Sequence, residues 1–306
     1  MKPFLLLAVR ADDAAADNEY ESFLACTGLP ERDLHRRRLE QRPLGDIGLH
    51  DWSGIMLGGG PFTTSDPEES KSPVQQRIEA DVRGLLDRVI SADFPFLGAC
   101  YGIGTLGSHQ GAVVDRQYAE PIGAVPVTLT PEGREDPLLR GLPVTFDAFV
   151  GHKEAISRLP DAAVLLASSP GCPVQAFRIG SAVYATQFHP ELDAASLCTR
   201  IEVYKHSGYF EPEQADETQG TRPPQRRHPP AGHPAPVRQT LCMRHTGQHP
   251  SLAAPGGHRS GQPAPIDRRL LSSPARTPPV GQLTPRWPHL RAAVQASGQW
   301  PHPVAC

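Results

Sequence analysis

Phe94-Pro95-Phe96-Leu97-Gly98-Ala99-Cys100-Tyr101-Gly102 decides the architecture of this 306-residue chain. The apolar run Phe94 to Leu97 reads as a buried strand entering a tight turn, and the stretch from about Tyr101 through His109 reads as the helix that leaves it. A strand-to-helix elbow of this kind exposes the side chain at its apex, here the Cys100 thiol. The elbow is strained, so its neighbours must lack bulk, and Gly98, Ala99 and Gly102 meet that need by leaving room for an approaching carbonyl. The positive end of the helix points at Cys100 and favours the thiolate. A lone cysteine would more simply be a buried, inert one; the glycine bracket argues otherwise.

Ala182-Val183-Tyr184-Ala185-Thr186 is a second apolar run, and it ends in Gln187-Phe188-His189-Pro190-Glu191. A histidine and a glutamate two residues apart after a strand can act as base and orienting acid, which with Cys100 makes a candidate Cys-His-Glu triad. Ser53-Gly54-Ile55-Met56-Leu57 reads as a third strand, running into Gly58-Gly59-Gly60-Pro61. The N–H groups of such a loop are free to turn toward a ligand, and Gly60 with Tyr101, the residue after the nucleophile, are the candidate oxyanion donors. No Lys-Ser/Thr pair follows the glycines, so a phosphate-binding loop is not expected.

Gly-Gly-Pro at 59–61, Gly-Ala-Cys-Tyr-Gly at 98–102 and Gln-Phe-His-Pro-Glu at 187–191, in this order, resemble the class I glutamine amidotransferase domain, with wording nearest the glutaminase domain of GMP synthase. The resemblance covers about residues 1 to 210. It implies hydrolysis of the glutamine side-chain amide, with ammonia passed to an acceptor on a separate synthetase partner and no cofactor or metal. Cys100 matches the nucleophile, His189 the base and acid, Glu191 the orienter and Gly60 the oxyanion-hole glycine. Gly59, Gly151 and His152 fall at weaker substrate-site matches. Four residues past the nucleophile the family usually has a substrate-contacting glutamine, whereas this chain has Gly104. The elbow also suits γ-glutamyl hydrolases and other thiol amidohydrolases, and a non-catalytic regulatory or interaction module is the remaining class of answer.

Composition bounds the rest. With 39% hydrophobic and 21% charged residues the chain reads as globular, no run is long and apolar enough to span a membrane, and Pro3 to Val9 is too short for a signal peptide; a cytoplasmic location is expected. The six cysteines show no paired spacing. The net charge of −3 hides a division: Thr218 to Cys306 holds eleven arginines, no lysine, one acid and 17 of the 34 prolines. Residues 1–217 are therefore read as the catalytic-type domain and 218–306 as a disordered tail. Three readings of the tail compete: an arginine-rich arm for nucleic acid, a metal-binding segment using Cys242, His245 and His249, and the out-of-frame product of a GC-rich gene. The last is favoured, and nucleic acid is not an expected partner except through this tail.

Strands at Pro3 to Val9, Gly54 to Leu57, Pro95 to Leu97 and Val183 to Gln187 alternate with helices at Ala14 to Thr27 and Val74 to Ile90. That order predicts an α/β fold of the doubly wound, flavodoxin-like type, with a mostly parallel sheet and helices on both faces. Val113 to Phe149 reads as antiparallel strands and turns at the sheet edge. All three motifs would then lie at the carboxyl ends of strands, where such sheets bind ligands. His35 with Arg36-Arg37-Arg38 reads as a solvated charged run, His109 as a helix-end cation, and Asp12-Asp13 as a helix start.

Overall fold

Nine strands form one sheet in the order β2-β1-β3-β4-β11-β10-β9-β6-β7. The computed structural model describes residues 2–204; the boundary at 217 and the tail beyond it lie outside the described residues. In chain order the elements are β1 (Phe4–Ala8), α1 (Asp13–Thr27), β2 (Leu34–Arg38), β3 (Gly54–Leu57), α2 (Pro73–Ser91), β4 (Phe96–Ala99), α3 (Tyr101–His109), β5 (Val113–Asp115), β6 (Glu120–Leu129), α4 (Pro131–Glu135), β7 (Thr145–His152), β8 (Ala155–Arg158), β9 (Ala163–Ser168), β10 (Ala176–Ile179), β11 (Val183–Thr186) and α5 (Ala194–Tyr204). The pairs β2-β1, β1-β3, β3-β4 and β4-β11 are parallel and give the flavodoxin-like order. From β11 outward the pairing is antiparallel, through β10, β9 and β6 to β7.

The inner parallel strands β1, β3 and β4 are buried throughout, which is why they read as unbroken apolar runs. Side-chain alternation along them divides the core. Leu5, Leu7, Ile55, Leu57 and Phe96 pack with Ile78, Val82 and Leu85 of α2 and Ile103 and Leu106 of α3 on one face. Phe4, Leu6, Met56 and Leu97 pack on the other face with Phe23 of α1. Helix starts follow local chemistry. Asp12 accepts the Ala15 N–H at 2.9 Å to cap α1, and Ser72 accepts the Gln75 N–H at 3.1 Å, with Pro73 following, to cap α2. Gly28 closes α1 at φ 66°, a left-handed conformation suited to glycine.

The Arg36 to Arg38 run is β2, an edge strand paired with β1, rather than a solvated face. Its arginines reach back over neighbouring elements: Arg36 donates to Asp17 at 2.8 Å and to the Ala16 carbonyl, and lies over the Tyr20 ring. Among the described residues no helix is long and apolar enough to cross a membrane.

Candidate active site

Cys100 sits at φ 52° and ψ −96°, an unfavourable conformation for a residue with a side chain, costing about 1–3 kcal/mol. Its N–H bonds the Thr186 carbonyl at 2.8 Å, tying the elbow to the end of β11. The flanking glycines are required for packing. A Cβ on Gly98 would lie 2.7 Å from the Gly102 carbonyl oxygen, and one on Gly102 would lie 3.0 Å from that of Leu57. Small residues at 98 and 102 thus let α3 close onto β4 and β3, and neither lines the cleft around Cys100. The expected role of leaving room for a carbonyl is corrected to helix-on-sheet packing. The thiol faces the Gly151 carbonyl at 3.9 Å.

His189 follows β11 and is held by its own N–H to the Phe149 carbonyl at 2.9 Å. Its Nδ1–H donates to Glu191 Oε1 at 2.8 Å, and Arg200 Nη1 donates to the same oxygen at 3.0 Å. All three side chains are buried. Burial pushes the imidazole down, yet the Glu191 carboxylate and a hydrogen bond with Cys100 outweigh it and hold His189 up at about 9. Burial likewise opposes ionisation of Glu191, but His189 and Arg200 prevail and keep its carboxyl well below the usual range. Cys100 and His189 line one pocket together with Arg10, Gly60, Gly151, Arg200 and Tyr204.

The glycine loop at 58–60 is more committed than its sequence suggests. The Gly58 N–H bonds the Leu7 carbonyl at 3.0 Å, and the Gly59 N–H bonds Glu19 Oε1 at 3.1 Å, so these two groups serve the fold. Gly59 lies against the triad: a Cβ there would be 2.7 Å from His189 Cε1 and 2.8 Å from Arg10 Nη2. A Cβ on Gly60 would collide with the Val9 side chain. Gly60 and Tyr101 both line a cleft with Cys100, Gly151, His152, Lys153, Glu154 and Gln187. Helix α3 has no side-chain cap, and the Tyr101 N–H, in its first turn, has no intrahelical partner.

His152 is buried with both ring nitrogens engaged, Nδ1 at 2.9 Å from the Glu154 carbonyl and Nε2 at 2.9 Å from Glu120 Oε2. Its side chain therefore serves the wall of the cleft. Gln175 adds a donor to Glu120 at 2.8 Å. Among the described residues Glu120, His152 and Cys172 bring possible metal-ligand atoms within 4.8 Å of one another. Hydrogen bonds already account for the carboxylate and the ring, and burial pushes the Cys172 thiol up to about 12, which disfavours the ligating thiolate. Gly104 does not line the cleft; Glu154 and Thr64 stand over it.

Sequence reading missed Arg10, Glu19 and Arg200. Arg10 leaves the carboxyl end of β1, pairs with buried Glu19 at 3.0 Å and donates to the Tyr204 hydroxyl at 3.0 Å. A charged residue directly after a buried apolar strand was the one local signal for it; nothing local marked Arg200.

A model of the family described as glutamine amidotransferase class-I matches residues 36–199. The glutamine-hydrolysing GMP synthase of Thermosipho africanus (strain TCF52B) is 27% identical over 150 residues, which are 49% of this chain and 26% of the relative. That of Neisseria meningitidis serogroup C (strain 053442) is 29% identical over 151 residues, again 49% of this chain and 26% of the relative. The chain thus spans about a quarter of the length of these curated relatives. A solved glutamine amidotransferase from Thermotoga maritima superposes with a TM-score of 0.56 at 23% identity, covering 71% of this chain and 90% of its own, a likeness of fold.

Proposed function

The chain belongs to the class I glutamine amidotransferase family, and from that premise we propose that it hydrolyses the side-chain amide of glutamine and delivers the ammonia to an acceptor site on a synthetase partner. The carrying observation is the 2.8 Å bond from His189 Nδ1 to Glu191 Oε1, with His189 and Cys100 sharing one pocket. Fixing Nδ1–H on Glu191 leaves Nε2 as the nitrogen that exchanges protons with the thiol and the substrate.

Cys100 Sγ, as thiolate, attacks the amide carbon, and the oxyanion collects at the N–H groups of Gly60 and Tyr101. The imidazolium of His189, held up at about 9, gives its proton to the departing nitrogen, so ammonia leaves and a thioester remains. His189 then takes a proton from water, hydroxide attacks the thioester carbon, and glutamate departs as the thiol is restored. The balance is glutamine plus water to glutamate plus ammonia. Glu191 holds the ring and offsets its charge throughout, and Arg200 fixes Glu191. Gly59 lets the loop lie against His189, while Gly151 and His152 form the facing wall. The GMP synthase relatives support a nucleotide synthetase as the acceptor.

The test is ammonia release from L-glutamine by the full chain, alone and with candidate synthetases. Cys100→Ala should abolish it, by at least 1,000-fold on the scale of a lost nucleophile, while the protein stays folded. Undiminished turnover in that variant overturns the reading.

A further inference from the structure

No residue of the 58–60 loop has room for a side chain. A Cβ on Gly58 would lie 2.6 Å from Glu19 Oε2, one on Gly59 would lie 2.7 Å from His189 Cε1 and 2.8 Å from Arg10 Nη2, and one on Gly60 would collide with Val9. The loop thus touches the Glu19 carboxylate at one residue and the His189 ring at the next. Glu19, in α1, has no exposed surface, an unusual place for a carboxylate. Its Oε1 accepts two bonds, from Arg10 Nε at 3.0 Å and from the Gly59 N–H at 3.1 Å. Arg10 is itself buried and is held at its other side by the Tyr204 hydroxyl. A buried ion pair contributes little net stability, because desolvation offsets the attraction, and apolar residues of similar volume often serve as well. What this pair supplies and apolar residues cannot is an acceptor for one particular backbone N–H. The Gly58 N–H is already held by the Leu7 carbonyl. Glycine peptides rotate with little hindrance, so the bond from Gly59 to Glu19 is the constraint immediately before the peptide that carries the Gly60 N–H.

We propose that Glu19 is a positioning residue for the reaction at Cys100: it fixes the Gly59 peptide so that the next N–H, that of Gly60, is aimed at the oxyanion, and Arg10 holds the acceptor in place. The inference rests on the glutaminase reading and deepens it, by giving the oxyanion loop a support that lies outside the cleft. Glu19 lines neither of the two pockets that contain Cys100, so its effect on the reaction passes through the loop. Misplacing a reacting or stabilising group by about 1 Å costs about 100-fold in rate.

The test compares two reactions of the Cys100 thiol in the full chain: acylation by p-nitrophenyl acetate, which passes through an oxyanion, and alkylation by iodoacetamide, which does not. Release of p-nitrophenolate is read as a second-order rate after subtracting that of the Cys100→Ala chain, and alkylation is followed on the Cys100 peptide. Glu19→Met keeps the length of the side chain but removes the acceptor, and should slow acylation by about 10-fold or more beyond any change in alkylation. Glu19→Gln retains an acceptor at the same place and should keep the ratio of the two rates within about threefold of that in the unsubstituted chain. If Glu19→Met does not fold because Arg10 is left unpaired, Arg10→Met combined with Glu19→Met carries the test with the same expected ratio. Equal slowing of the two reactions would reduce Glu19 to a general support of the fold and overturn the proposal. So would an unchanged ratio in Glu19→Met, a Glu19→Gln chain as impaired as Glu19→Met, or no acylation of Cys100 in the unsubstituted chain. Ammonia release from L-glutamine reads the reaction separately: turnover with an unchanged ratio in Glu19→Met sinks this inference alone, and absence of turnover in the unsubstituted chain sinks the glutaminase reading while the two rates still decide the role of Glu19.

Discussion

Gly98→Ala and Gly84→Ala make the same chemical change and should move stability in opposite directions. At Gly98 the added Cβ meets only backbone, 2.7 Å from the Gly102 oxygen and 2.8 Å from its carbonyl carbon. Ordinary contact is about 3.5 Å, so α3 must retreat from β4 by about 0.8 Å or the strand must bend. Overpacking of this kind costs about 1–3 kcal/mol. Gly84 lies on the exposed side of α2 with nothing within 4 Å of its virtual Cβ, and there alanine restricts the unfolded chain and suits the helix, a gain of about 0.5–1 kcal/mol. Urea unfolding of the full chain reads both. The retreat of α3 would also carry Tyr101 and the elbow with it, so labelling of Cys100 by iodoacetamide, followed on its own peptide, should change in Gly98→Ala and hold in Gly84→Ala. A Gly98→Ala protein as stable as the unsubstituted one, with unchanged labelling, would refute the packing argument.

The raised value of His189 sets the pH behaviour: the charge-linked stability it contributes is complete below the ordinary histidine value of about 6.5 and is lost as pH rises through about 9. The alkaline limb of kcat/KM for glutamine should therefore fall near pH 9, and Glu191→Gln, which removes the main attraction, should move it toward lower pH; an unmoved limb would count against the pairing. Arg200→Met removes a cation from the same cluster and should shift that limb the other way, with a stability loss of about 3 kcal/mol in urea from the Glu191 bond left open. Phe188→Ala empties a fully buried site packed edge-on to Phe146 at 5.8 Å and should cost about 3–5 kcal/mol by thermal or urea unfolding.

The inner strands of the parallel half, β1, β3, β4 and β11, were legible because they are buried on both faces and leave continuous apolar runs. Gly54–Leu57 and Tyr101–His109 match their expected limits residue for residue. The β2 strand was hidden because an edge strand can carry arginines, whose stems cover α1 while their charges pair with its acids. The order of motifs at strand ends could be read locally. What could not be read were the long-range partners: Arg10 with Tyr204, Glu120 with Gln175, Glu154 with the 64–65 loop. Those contacts come from separate loops converging over the sheet, and no periodicity in the chain encodes them. The glycines at 98 and 102 were singled out correctly for their size, yet the crowding that requires it comes from the helix rather than from a substrate.

The role of Cys100 as an activated nucleophile is read from the site of covalent modification by 6-diazo-5-oxo-L-norleucine, a glutamine analogue that alkylates such a group, mapped by peptide mass spectrometry on the full chain. A single adduct on Cys100 is expected, suppressed by excess L-glutamine and lost in His189→Ala, with the free thiols of Cys26 and Cys172 unmodified. An intact protein with no adduct on Cys100, or with equal labelling after His189→Ala, would contradict it.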